Sequence, residues 1–164
     1  MSEVDWDAWF NTPGMPLYRP NYDESLAKVC QELSKKWIEW DAATPSPFKP
    51  EDIGSFSSGQ KIEFLSLLLT EKPLRYLKIY HEKKIVKLKL FLFSIAKLEE
   101  MEKQYSLNGV RNSEIRFNWI RLGLVARWED AVPRAVAMVT EQGRMKFLRP
   151  LYRLSIFAVC KKKV

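Results

Sequence analysis

The segment 112–128 most constrains the fold, because apolar side chains cover almost the whole circumference of the helix that it predicts. Asn112 stands where an N-cap is expected, and the polar side chains of Glu114, Asn118 and Arg121 fall on one narrow stripe. A helix that is apolar on nearly all sides must be surrounded by other elements. The sequence therefore predicts a buried central helix with neighbours packed around it.

Periodic apolar segments on both sides of this helix supply the neighbours. Capping-box spacing at Asn21 and Glu24, and again at Ser57 and Gln60, predicts two helix starts. The stretch 86–93, "VKLKLFLF", alternates like a strand, so helix is favoured there but a strand stays open. The helices expected outside this stretch cover about 21–41, a short turn of helix that begins at Pro50, and about 58–71, 74–84, 94–105, 129–142 and 144–159.

Short loops between helices of this length indicate stacked antiparallel helix pairs, so the expected fold class is all-α. Gly143 is expected to end the helix 129–142 in the left-handed conformation, with Glu129 and Asp130 in the first turn of that helix. Residues 1–20 contain two tryptophans followed by prolines and a glycine. They are interpreted as an ordered linker that is too irregular to be helical.

The composition is that of one ordinary domain. With 164 residues and 46% hydrophobic content, the chain can bury a core without disulfides or metal. Cys30 and Cys160 are far apart and lie in helical apolar patterns, so we interpret them as buried thiols in the cytoplasm. The most apolar run is too short to span a bilayer, and no membrane association is expected.

The net charge of +7 is concentrated in two short clusters. Residues 71–89 carry seven basic side chains against two acidic ones, and 161–163 are all lysine, so the remainder of the chain is close to neutral. A nucleic-acid groove requires basic residues that are spread along a face and interleaved with aromatics. The charge distribution of this chain differs from that pattern. A basic module that binds nucleic acid or an acidic protein is the alternative function, and the clusters leave a nuclear location open.

No metal site is predicted within the chain. His81 and Glu82 begin the H-E-x-x-H motif of zinc peptidases, but Ile85 occupies the position of the second imidazole, and the sequence has no other histidine. The two cysteines have no C-x-x-C neighbour. We therefore predict neither metal ligands nor catalytic residues here.

Three motifs carry a family resemblance: "NSEIRF" at 112–117, "WEDAVP" at 128–133 and "EQGRMKFLRPL" at 141–151. In this order and spacing they resemble the C-terminal helical domain of the leukotriene A(4) hydrolase, aminopeptidase B and aminopeptidase O group of M1 zinc aminopeptidases. The stretch "VDWDAWFNTPGMP" at 4–16 is similar to the linker that leaves the catalytic domain of that family. The resemblance covers roughly 4–41, 57–74 and 98–152.

The resemblance implies a two-layer, right-handed stack of antiparallel helices, similar to armadillo or HEAT repeats, that closes one side of an active-site cleft. Residues 1–20 would be the linker and 21–164 the C-terminal domain, with an atypical insert at 75–97 and an atypical tail at 153–164. The zinc and its ligands would belong to an upstream catalytic domain, which is the implied partner. By itself, the chain is expected to be inactive.

The resemblance also implies a binding role for Arg144 and Lys146, whose counterparts hold the free carboxylate of a peptide or fatty-acid substrate. Both residues follow a predicted helix end and begin the next helix, where free N–H groups and the helix dipole favour an anion. Without the resemblance, a solvated basic turn or an interdomain salt bridge is the better interpretation. Arg149 lacks such support and is expected to pair with Glu141 or Asp130.

Overall fold

The computed structural model describes residues 5–15, 21–70 and 93–159, with the backbone alone for 156–159. The described part is helical and contains no strand. The predicted all-α stack of helices is confirmed. Its elements are α1 Trp6–Asn11, α2 Ser25–Glu39, α3 Glu51–Gly54, α4 Ser58–Thr70, α5 Ile95–Tyr105, a 3-10 turn Leu107–Gly109, α6 Ser113–Ala126, α7 Ala131–Glu141 and α8 Met145–Val159.

Helix α6 is the centre of the stack, as its apolar circumference predicts. It packs against α4 and α5, which precede it in the chain, and against α7 and α8, which follow it, while α2 packs against α4. Gly123 lets α7 approach closely, because a Cβ atom there would lie 2.7 Å from the Cβ atom of Ala131. The prediction of a buried central helix is confirmed.

Two of the predicted helix starts form the expected hydrogen bonds. Asn112 caps α6 through its side-chain oxygen, which accepts from the backbone N–H groups of Glu114 (3.0 Å) and Ile115 (3.4 Å). Ser57 and Gln60 form a reciprocal capping box at α4, with distances of 3.1 and 3.3 Å.

The capping box predicted at Asn21 and Glu24 does not form. Helix α2 begins at Ser25, and Glu24 occupies the N-cap position without a side-chain cap hydrogen bond. Asp23 accepts instead from the backbone N–H of Ser25 at 2.9 Å. Because this short local bond satisfies an early amide group, the helix starts three residues later than the capping-box spacing predicts.

The left-handed conformation predicted at Gly143 is wrong. Helix α7 ends at Glu141, and Gln142 is extended, with φ −129° and ψ 119°. The side-chain amide of Gln142 donates to Ser113 Oγ at 2.6 Å, which fixes the exit of the chain without a left-handed residue. Asp130 is the N-cap residue of α7, so the two acidic residues precede the helix and do not lie in its first turn.

The prediction that residues 1–20 contain no helix is also wrong. Helix α1 is capped by Asp5, whose carboxylate accepts from the backbone N–H of Ala8 at 3.0 Å. The rings of Trp6 and Phe10, one turn apart, stack with centroids 5.9 Å apart. The helix-breaking Pro13 comes after the helix has ended, so it does not oppose these contacts.

Trp37 joins α2 to the elements around it. Its ring stacks on Phe48 at 3.7 Å, and its indole N–H donates to Tyr105 Oη at 3.2 Å. The ammonium group of Lys97 is buried and donates to the carbonyl oxygens of Trp37 (3.0 Å) and Ile38 (2.8 Å) near the end of α2. Burial lowers the pKa of this ammonium group.

Several predictions fall outside the described residues. They concern His81, Cys160, the stretch 86–92 and both basic clusters. Of the predicted insert 75–97, only 93–97 is described, and there Phe93 and Lys97 are buried. Cys30 is buried, as predicted. In the described ranges, no helix has both the length and the apolar character needed to cross a membrane.

Candidate carboxylate site

The turn between α7 and α8 brings the two predicted site residues to the start of a helix. Arg144 immediately precedes α8, and Lys146 is the second residue of that helix. The backbone N–H groups of Phe147 and Leu148 both donate to the carbonyl oxygen of Arg144, at 2.9 and 3.1 Å. The backbone N–H groups before Phe147 have no preceding turn of the helix to accept from them. The start of the helix can therefore receive an anion.

A buried aromatic ring lies beneath the two basic side chains. The guanidinium carbon of Arg144 lies 5.7 Å from the centroid of Phe147, and the Lys146 ammonium lies 5.8 Å from the same centroid. Phe147 is only 2% exposed and packs against Phe117 with ring centroids 5.0 Å apart. Contact with this buried ring orients the exposed cationic groups of Arg144 and Lys146.

Lys146 has a carboxylate partner within the domain. Its ammonium group donates to Glu114 Oε1, which joins the start of α8 to the start of α6. The side chain of Lys146 is 51% exposed and that of Glu114 is 30% exposed, so solvent screens this ion pair. The salt bridge is therefore intradomain, and it is weak enough for another carboxylate to compete for the lysine.

Arg121 is a further basic residue beside the Phe117–Phe147 pair. Its guanidinium carbon lies 5.1 Å from the centroid of Phe117, and its Nε is buried without a hydrogen-bond partner in the described part of the chain. Burial lowers the pKa of this guanidinium group. From the sequence, Arg121 was placed only on the polar stripe of the central helix. That stripe is the signal that could have identified Arg121 as a residue near the site.

The predicted pairing of Arg149 with Glu141 is wrong. Arg116 holds that carboxylate with two bonds, Nη1 to Oε1 at 3.3 Å and Nη2 to Oε2 at 3.0 Å. The hydrogen bond from Arg116 lowers the pKa of Glu141. Among the described residues, no ion pair includes Arg149 or Asp130.

The described residues do not fit a zinc ion. Within 5–15, 21–70 and 93–159 there is no group of three or more His, Cys, Asp or Glu side chains that could hold a metal. Acceptor-rich clusters of that kind are needed for a zinc centre in proteins. The arrangement around Arg144 is instead suited to binding an anion.

Comparison with known proteins identifies the family. Residues 56–162 match the family model for the C-terminal domain of leukotriene A4 hydrolase. Leukotriene A-4 hydrolase of Xenopus laevis is 44% identical over 153 residues, which cover 93% of this chain and 22% of that protein. Leucine aminopeptidase 2 of Aspergillus niger is 36% identical over 156 residues, again 93% of this chain and 22% of the relative.

A solved structure shares the fold. Native leukotriene A4 hydrolase from Saccharomyces cerevisiae superposes with a TM-score of 0.74 at 27% identity, covering 95% of this chain and 25% of the yeast chain.

The fold is that of an all-α domain built from stacked helices. The chain belongs to the family of leukotriene A4 hydrolase C-terminal domains. It spans about a fifth of the length of the curated relatives that it matches.

Proposed function

We propose that this chain serves as the accessory C-terminal domain of a zinc aminopeptidase or related hydrolase. In this proposal it closes one side of the active-site cleft, and Arg144 and Lys146 hold the carboxylate of the substrate. The substrate class is a peptide, as the name of the Aspergillus relative suggests, or leukotriene A4, as the name of the Xenopus relative suggests, and in both cases the proposed anchor is a free carboxylate of the substrate. The observation that carries the proposal is the exposed basic pair at the start of α8.

The chemistry of the two residues supports this role. An arginine can hold a carboxylate through two parallel hydrogen bonds, whereas a lysine contributes a point charge. Both groups lie beside amide N–H groups at a helix start, which adds a favourable dipole. Neither residue forms part of the buried core, since both side chains are exposed. Both side chains are therefore accessible to a ligand, which would compete with Glu114 for Lys146.

Exposed apolar residues at the other end of the chain support contact with a catalytic domain. Trp6 and Phe10 on α1 are 63% and 78% exposed, and Leu26 on α2 is 62% exposed although its apolar spacing predicts a core position. Large exposed apolar side chains such as the stacked Trp6 and Phe10 are typical of a surface that is covered by a partner. The zinc and its ligands are assigned by this proposal to that catalytic domain, and the whole enzyme to the cytoplasm.

The alternative function, binding of nucleic acid or an acidic protein, receives no support from the described residues. The clusters at 71–89 and 161–163, on which it depends, lie outside them. Such binding would be weak and steeply salt-dependent.

The proposal can be tested in a fusion in which this chain replaces the matching C-terminal segment of the Xenopus relative. Aminopeptidase kcat/KM would be measured on a tripeptide with a free C-terminus and on its C-terminal amide. We expect Arg144→Ala to impair only the acid substrate, because the amide carries no anion. Arg149→Ala, which removes the same charge five residues away, should leave both substrates unchanged. Equal losses on acid and amide for Arg144→Ala would contradict the anchoring role.

A further inference from the structure

A pocket that is separate from the turn at Arg144 lies between the 3-10 turn, α6 and α7. It has a volume of about 150 Å³. None of its described lining residues belongs to the site of Arg144 and Lys146. The lining residues are Leu107, Asn108, Arg116, Trp119, Ile120, Arg134 and Ala137.

One wall of this pocket is apolar and rigid. Leu107, Trp119 and Ile120 are each no more than 3% exposed, so the core fixes their positions. The indole N–H of Trp119 donates to Asn108 Oδ1 at 2.8 Å, and the backbone N–H of Asn108 donates to Glu102 Oε2 at 2.9 Å. The pocket therefore presents a preformed hydrophobic face, with the NH₂ group of Asn108 as a remaining donor.

The other wall is basic, and its two arginines differ in how they are paired. Glu141 accepts two hydrogen bonds from Arg116 and balances its charge. Arg134 forms no ion pair within the described residues, and its Nε is buried there without a hydrogen-bond partner. A carboxylate fits the fork of a guanidinium group and would balance the charge of Arg134.

We infer that this pocket binds a small aromatic monocarboxylate, with the carboxylate on Arg134 and the ring against the apolar wall. The size supports this ligand class, because a volume of about 150 Å³ is enough for one benzene ring. Arg134, which has no acidic partner among the described residues, can balance one negative charge of a ligand. A dianion would leave its second charge without a partner. This binding site is independent of the proposed cleft function.

The test is a titration of the full chain with sodium benzoate, followed by two-dimensional ¹H–¹⁵N NMR at constant ionic strength. We expect saturable shifts of the Trp119 indole and Asn108 side-chain signals, with a Kd on the order of 1 mM for so small a ligand. Benzamide, which has the same shape without the charge, should shift neither signal. Equal shifts with benzamide would overturn the proposal.

Variants then assign the binding to the pocket. Arg134→Gln should raise the Kd at least tenfold, whereas Arg149→Gln, an equal loss of charge on α8, should leave it unchanged. Ala137→Leu narrows the pocket at an exposed helical position while keeping every charge, and it should also abolish the shifts. Arg144→Gln should have no effect. Unchanged binding in Ala137→Leu, or loss of binding in Arg144→Gln, would show that benzoate does not occupy this pocket.

Discussion

The carboxylate of Glu114 contacts the ammonium group of Lys146 and so places an acidic side chain of this domain where a substrate carboxylate is proposed to bind. The two residues lie 32 positions apart, at the starts of α6 and α8. Exposed ion pairs of this kind contribute only about 0.2 to 1 kcal/mol. Glu114 is therefore in a position to compete with the substrate for Lys146 without being essential to the fold.

Replacing Glu114 should consequently strengthen binding of an acidic substrate. In the fusion with a catalytic domain, we expect Glu114→Gln to raise kcat/KM for the acid tripeptide by roughly 1.5- to 5-fold, the equivalent of that free energy. The amide substrate should not respond. Glu99→Gln, which removes an exposed carboxylate from α5, is the matched control. A lower kcat/KM on the acid would instead mean that Glu114 holds Lys146 in its working position.

The hydrogen bonds around Tyr105 predict a loss of stability when its hydroxyl is removed. Tyr105 Oη accepts from the buried indole of Trp37 at 3.2 Å and donates to Asp52 Oδ2 at 3.3 Å. Burial raises the pKa of this hydroxyl well above its usual value. Tyr105→Phe leaves the Trp37 donor unpaired, so the free energy of unfolding should fall by about 1 to 3 kcal/mol in urea denaturation.

Tyr152 supplies the control for this measurement. It is 56% exposed, and Tyr152→Phe should change the free energy of unfolding by less than about 0.5 kcal/mol. If both variants unfold at the same urea concentration, the buried hydroxyl of Tyr105 contributes nothing specific.

The close approach of α6 and α7 at Gly123 predicts opposite effects for two glycine substitutions. Alanine has a higher helix propensity than glycine by about 1 kcal/mol. At Gly123, however, the added Cβ would lie 2.7 Å from Ala131 Cβ and 3.3 Å from Trp128 Cε3. The backbones of α6 and α7 would have to move apart to relieve these contacts. Overpacking of this kind lowers stability by about 1 to 3 kcal/mol, so Gly123→Ala should lower the melting temperature.

Gly59→Ala is the matched change in an open position. There the nearest atom to the added Cβ, Ser57 Oγ, is 3.8 Å away, so the propensity gain should raise the melting temperature or leave it unchanged. A higher melting temperature for Gly123→Ala would show that the contact between α6 and α7 is looser than the geometry indicates.

Local sequence signals predicted the fold best where the polar partners are near in sequence. Asn112 and the Ser57–Gln60 pair form the hydrogen bonds that their spacing indicates. The expectation at Gly143 failed because Gln142 reaches Ser113, 29 residues away, and this contact has no local signature. The helix at Trp6–Asn11 was missed because nearby prolines outweighed an Asp5 cap that was readable from the sequence.

The candidate site was predicted in position but not in pairing. The motif around Gly143 located Arg144 and Lys146 at the start of a helix, and the structure agrees. The partner of Lys146 comes from α6, which is distant in sequence, so Glu114 could be recognised only as a polar position on an apolar helix. The same reason explains why Arg116, and not Arg149, binds Glu141. Packing of α6 against α7 and α8 creates these pairs.

The proposed function finally predicts a ranking of substitutions at the basic turn. In the fusion enzyme, Arg144→Ala removes a bidentate, charge-assisted contact worth roughly 1.5 to 3 kcal/mol, which corresponds to a loss of about 10- to 150-fold in kcat/KM on the acid tripeptide. Arg144→Lys should recover only part of this loss, because an ammonium group cannot reproduce the planar fork. Lys146→Ala should have a smaller effect, since Glu114 already shares that charge.

Stability separates this ranking from a structural explanation. Arg144 is exposed and forms no ion pair within the described residues, so its variants should melt within about 2 °C of the parent fusion. Thermal unfolding of each variant, measured beside its kinetics, checks this. If Arg144→Lys restores full activity, a single positive charge suffices and the bidentate contact is wrong. If Arg144→Ala melts much earlier and loses activity on acid and amide alike, Arg144 supports the turn and does not bind substrate.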